Sequence, residues 1–141
     1  MMTLAEAFAA AGSTSRAALI GYLPAGFPDR DTAHELVRAM VRGGVSIVEV
    51  GMPYSDPGMD GPAIQWASDI SLAGGTTLRD AIDVVRTAAE AGAAACLMSY
   101  WNPIAQYGLA RFCKDFSAAG GTAVITPDLS PDRKSTRLNS S

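Results

Sequence analysis

Four short apolar runs begin near positions 18, 46, 94 and 122, so the steps between them are 28, 48 and 28 residues. Between these runs, which read Ala17 to Leu23, Ser46 to Val50, Ala94 to Tyr100 and Thr122 to Thr126, apolar residues recur at three- and four-residue intervals. Short strand-like runs alternating with helical stretches predict βαβ units and therefore a parallel sheet, because parallel neighbours need a crossover long enough to hold a helix. The helical stretches carry their own punctuation. Leu4 to Ala11 ends at Gly12, and Asp29 or Asp31 can cap a helix whose face is Ala33, Leu36, Val37, Met40 and Val41 and which stops at Gly43-Gly44. Pro62 suits a first helical turn running to about Leu72 and Gly74-Gly75. Thr77 with Asp80 forms a capping-box pattern ahead of the face Leu78, Ala81, Ile82, Val85, Ala88 and Ala89. Leu109, Phe112, Cys113 and Phe116 mark the core side of a last helix. The long middle step thus holds two helices.

Strands each followed by a helix can form a doubly wound open sheet or a (β/α)8 TIM barrel, and periodicity alone leaves both open. No Gly-x-Gly-x-x-Gly follows the first run, which argues against a dinucleotide-binding sheet. If the fold is a barrel, which takes about 250 residues, four units are half of one. Residues 1–131 are then the N-terminal half of a single barrel domain, and the chain is expected to be incomplete. The string 132–141, Asp132 to Ser141, has no apolar period, carries three of the eleven basic residues, and reads as the in-frame translation of a common sequencing-library adapter. It is expected to be a non-native tail.

The chain has 141 residues and a net charge of −3, with basic residues scattered singly up to Lys114, so nucleic acid is not an expected partner. Its apolar runs are far shorter than the ~20 residues a membrane helix needs, and Glu6 interrupts the apolar N-terminal stretch, which has no basic lead-in. A cytoplasmic protein without a membrane span is expected. Cys96 and Cys113 sit among apolar residues away from the single histidine, His34, and read as buried thiols with no metal site. His34 lies on the polar side of its helical pattern and reads as a solvated helix residue.

The segment Ser46 to Pro62 carries the chemistry. Alternation along a strand puts Ile47, Glu49 and Gly51 on one face and Val48 and Val50 on the other. With the valines packed against helices, Glu49 points into a barrel interior near the strand's C-terminal end, where barrel enzymes carry catalytic groups. The alternative is a structural ion pair across the sheet. Burial would raise its pKa towards the range useful for acid/base work. Asp60 follows at the far end of a loop stiffened by Pro53 and Pro57. Ser55-Asp56-Pro57 reads more naturally as a turn, and Tyr54 as a lid or interface aromatic.

Val48-Glu49-Val50-Gly51-Met52-Pro53-Tyr54-Ser55-Asp56-Pro57, with Asp60-Gly61-Pro62-Ala63-Ile64-Gln65, resembles the signature of the tryptophan synthase alpha chain family. Gly21 to Pro28, Leu97 to Ile104 and Pro127 to Pro131 resemble the family's first, third and fourth strand ends, with mild departures at Gly58-Met59 and Ser130. The resemblance implies a TIM barrel that cleaves indole-3-glycerol phosphate to indole and glyceraldehyde 3-phosphate in tryptophan biosynthesis. It matches Glu49 to the general acid/base and Asp60 to the carboxylate that binds the indole N–H. Tyr22, Ile64 and Tyr100 match an indole pocket whose bland reading is ordinary barrel core. Pro53, Asp56, Pro57, Asn102 and Pro103 match a surface that docks a beta chain in an alpha2beta2 tetramer. That partner holds pyridoxal phosphate, so no cofactor is expected on this chain. The family's phosphate-binding loops and active-site lid belong to later strands. Other readings are a different phosphate-handling barrel enzyme, or an inactive half-barrel that at most binds the beta chain.

Overall fold

The computed structural model describes residues 1–129, so the 132–141 string lies outside the described residues. The four runs form five-residue strands: β1 Ile20–Pro24, β2 Ile47–Gly51, β3 Ala94–Met98 and β4 Gly121–Ile125. They pair in parallel in the order β1-β2-β3-β4. This order settles what periodicity left open. A doubly wound sheet reverses direction at a switch point, whereas a sheet that always adds its next strand on the same edge keeps its right-handed crossovers on one face. The described residues form a partial (β/α)8 barrel of four strands, the first three each followed by one or two helices, with a helix-covered outside and an inner face.

Six helices accompany the strands: α1 Leu4–Ser13, α2 Arg30–Arg42, α3 Pro62–Ala73, α4 Leu78–Glu90, α5 Trp101–Tyr107 and α6 Leu109–Ala118. Their starts follow from local chemistry. Thr3 and Glu6 form a capping box on α1, and the Asp29 carboxylate accepts from the Thr32 N–H at 2.9 Å on α2. Pro62 opens α3 where an N–H would have no intrahelical partner. On α4, the Thr77 N–H donates to Asp80 at 2.8 Å while the Asp80 N–H donates back at 3.4 Å. Arg30 ties the start of α2 to the α3–α4 turn, donating to the Gly75 carbonyl at 2.6 Å and lying 3.4 Å from the Asp80 carboxylate.

Val48, Val50, Ala95 and Leu97 form the outer face of the sheet and are buried against Leu78, Ala81, Ile82, Val85 and Ala88 of α4, with Val37, Phe112 and Phe116 completing the core. Each large side chain fully buried here contributes roughly 1.5–3 kcal/mol. A second cluster lies on the inner face, where Ala7 of α1 closes over Ile47, Ala94 and Cys96. The two central strands are buried and the outer two are not. Leu19 just before β1, Ile20 at its start, and Val124 and Ile125 in β4 remain 39–55% exposed, at the edges where a complete barrel adds strands.

Several expectations change. Cys113 is exposed, not buried, because Phe112 and Phe116 take the core side of α6 and stack on each other at 5.3 Å, turning the next residue outward. Leu109, at the first turn of α6, and Leu36, on the rim of α2, are likewise exposed. His34 is half-buried rather than solvated, its Nδ1 lying 2.7 Å from the Thr87 hydroxyl between α2 and α4. β1 begins at Ile20 rather than Ala17, and α5 fills a stretch where no helix was expected.

Candidate active site

The parallel register places Tyr22, Glu49, Cys96 and Ala123 in one row across the inner face. Partial burial pushes the Glu49 carboxyl above the usual carboxylate range, since removing water penalises the charged form. The Cys96 thiol is pushed up as well, first by burial and then by the Glu49 charge, against a hydrogen bond with Thr122. Tyr22 is raised furthest: burial leads, followed by the fields of Asp60, Glu49 and Tyr100. The fields of two carboxylates eleven residues apart in sequence, Glu49 on β2 and Asp60 in the loop that follows it, thus bear on one phenol. The Tyr22 ring reaches this place because Gly51, the next inner-face residue on β2, has no Cβ; one built there would collide with the Tyr22 hydroxyl.

The pairing continues past the strand ends. The Ala25 N–H donates to the Gly51 carbonyl at 2.8 Å, Met52 to Met98 at 2.7 Å and Ser99 to Ile125 at 3.0 Å. The loops that follow are thus held side by side at the sheet's C-terminal end, where barrel enzymes place their chemistry. Tyr54 stacks on Tyr100 with ring centres 4.8 Å apart and planes 26° apart, and the Met59 N–H donates to the Tyr100 hydroxyl at 2.9 Å. From the other side, the Gln65 amide donates to the Asp60 carbonyl at 2.8 Å, anchoring it to α3. Asp60 and Ile64 are half-buried, Ile64 in the first turn of α3.

The residues matched to a docking surface are spread differently. Pro53 is fully buried and forms the base of the loop, Pro57 and Pro103 are half-buried, and Asp56 and Asn102 are exposed. The Asp56 carboxylate accepts from the Ser55 hydroxyl at 3.0 Å. Sequence reasoning missed Met98, which shares the inner face of β3 with Cys96 and which strict alternation would have found. It also missed Asp128, whose carboxylate accepts from the Trp101 N–H at 2.9 Å and ties the end of β4 to α5. Among the described residues, no group of three or more His, Cys, Asp or Glu side chains could hold a metal ion, and no helix is long and apolar enough to cross a membrane.

A half-barrel that gathers a half-buried glutamate, a loop aspartate and two tyrosines towards its strand ends has the layout of a barrel enzyme's active-site floor. The family described as tryptophan synthase alpha chain matches residues 8–140. The chain is 56% identical over 132 residues to the tryptophan synthase alpha chain of Thermobifida fusca, covering 94% of this chain and 49% of that one. It is 54% identical over 129 residues to that of Nocardia farcinica, covering 92% and 48%. Among solved structures, tryptophan synthase from M. tuberculosis in its aminoacrylate-bound form superposes with a TM-score of 0.91 at 47% identity, covering 96% of this chain and 55% of that one. The alpha subunit from Legionella pneumophila gives 0.88 at 29% identity, covering 96% and 53%. The chain belongs to the tryptophan synthase alpha chain family and spans about half the length of the curated relatives it matches.

Proposed function

We propose that this chain supplies the acid/base and indole-binding half of a lyase that cleaves indole-3-glycerol phosphate to indole and glyceraldehyde 3-phosphate. The observation that carries the reading is the pairing of Tyr22 with Glu49 on the inner face, with the loop that bears Asp60 held beside them by Tyr100 and Gln65. A retro-aldol cleavage needs a proton placed on indole C3, then a proton removed from the adjacent glycerol hydroxyl so that the C–C electrons return to the ring as the aldehyde forms. Glu49, held above the usual carboxylate range, is suited to give the first proton and, once ionised, to take the second. Asp60 accepts the indole N–H and offsets the positive charge that develops on the ring nitrogen. Tyr22, Ile64 and Tyr100 wall the ring.

In this reading the reaction needs no cofactor on this chain, and pyridoxal phosphate belongs to a beta chain that docks in the cytoplasm on Asp56, Pro57, Asn102 and Pro103 over the base formed by Pro53. In the assembled enzyme, Glu49→Gln is expected to lower indole release by about 10²–10⁴-fold with the complex intact, the scale of a general acid/base. Substantial residual turnover would sink the assignment. The same reading makes residues 1–131 half of one barrel domain and the string 132–141 foreign to it, and the 141-residue chain alone is expected to release no indole. Long DNA reads across the Pro131 codon test this: continuation into further βα sequence supports it, and a stop directly after Ser141 overturns it.

A further inference from the structure

The loop that carries Asp60 is held from two sides, by Gln65 of α3 and by Tyr100, the residue that caps α5 just after β3. Tyr54 near the start of the loop and Met59 near its end both attach to Tyr100, one by ring stacking at 4.8 Å and the other through its N–H at 2.9 Å. Tyr100 is itself well placed to act as an anchor. It is buried at 9% exposure, and it follows Ser99, whose N–H is bonded to the Ile125 carbonyl on the adjoining strand. The segment between the two attachments, residues 55–58, carries a side-chain bond between Ser55 and Asp56 and a long 3.5 Å contact from the Gln65 amide to the Pro57 carbonyl. Asp60 is the residue immediately after the second attachment, and its own carbonyl is held by Gln65 at 2.8 Å.

We infer that Tyr54 and Tyr100 form a clasp that closes the β2–α3 loop onto the junction between β3 and α5 and thereby sets the position of Asp60. The two tyrosines act in this as positioning residues, distinct from any contact Tyr100 makes with an indole ring, and the catalytic consequence rests on the proposed cleavage reaction. The two attachments are chemically separable. Tyr100→Phe keeps the stack and removes the acceptor for Met59. Tyr54→Leu removes the stack and keeps the acceptor, while Tyr54→Phe keeps the ring and serves as the conservative rescue.

The test is made on the complete enzyme with its beta partner, and it has two arms. In amide hydrogen exchange, Tyr100→Phe is expected to speed exchange at Met59 by about three- to tenfold, the scale of one lost hydrogen bond, while Val48 and Val50 in β2 are unchanged. In steady-state kinetics, Tyr54→Leu is expected to lower kcat about two- to tenfold with little change in KM, because a displaced Asp60 loses an interaction made in the transition state. Tyr54→Phe restores the wild-type value. Unchanged Met59 exchange in Tyr100→Phe, or equal kcat for the two Tyr54 variants, overturns the clasp. If the wild-type enzyme cleaves no indole-3-glycerol phosphate, the functional reading fails, and the exchange arm still decides whether the clasp exists.

Discussion

The two ends of the barrel's inner face are built from the same strands, one residue repeat apart, yet they differ in kind. Towards the N-terminal end, Ile47 and Ala94 pair in register and are sealed by Ala7 of α1. The next row holds Tyr22, Glu49 and Cys96, and above it come Gly51, Met98 and a loop carrying Asp60. One end gains stability by excluding water from apolar groups. The other keeps a carboxyl half-buried with no ion pair among the described residues, an arrangement that costs stability and is retained at sites of chemistry. The β2 strand therefore changes purpose between residue 47 and residue 49.

If this division is real, substitutions at the two ends should separate stability from turnover. The largest stability effect is expected at the closed end: Ile47→Ala leaves a cavity and should cost about 2–5 kcal/mol in chemical denaturation. The surviving folded enzyme should keep its pH profile. At the open end, Gly51→Ala forces its new methyl group against the Tyr22 hydroxyl and should cost about 1–3 kcal/mol. Unlike Ile47→Ala, it should also weaken substrate binding by moving Tyr22, so an unchanged KM would break the comparison. The smallest effect is a matter of sign. Glu49 is raised in the folded state, so that state holds its proton to higher pH than the unfolded chain, and its contribution to stability falls as pH rises from the ordinary carboxylate range through the raised value. Glu49→Gln should flatten that fall and be the more stable protein above this window while losing turnover. A variant less stable than wild type at every pH would remove Glu49 from the costly end.

Much of the fold was legible because the signals were local. Thr77 with Asp80, Pro62, and the face from Leu78 to Ala89 each state a helix start or side within a few residues, and all stand where the sequence put them. The inward turn of Glu49 followed from strand alternation once Val48 and Val50 were given to the helix side, where they lie. The failures share a cause: they depended on which neighbour covers a surface. Cys113 and Leu109 belong to an apolar pattern on α6, but the covering elements reach only Phe112 and Phe116. His34 has a polar neighbour list in sequence and a partner, Thr87, 53 positions away. The convergence of Asp60 with Glu49 was suggested by family resemblance and strand-end reasoning. Its attachment through Tyr54 and Met59 to Tyr100 is a property of the folded chain, because nothing in the spacing of those residues announces a stacked pair.

The order β1-β2-β3-β4 also has a consequence in time. A ribosome releasing about 5–20 residues per second delivers one of these units every few seconds. Because each strand pairs with the one made just before it, every new arrival finds its template already in place. The first strand is the exception. It is paired on one side early and must wait for whatever strand completes the ring, with Leu19 and Ile20 open at its start. Pro24 at its end lacks an N–H and cannot extend that edge as a donor, which makes the waiting strand a poorer template for a stray neighbour.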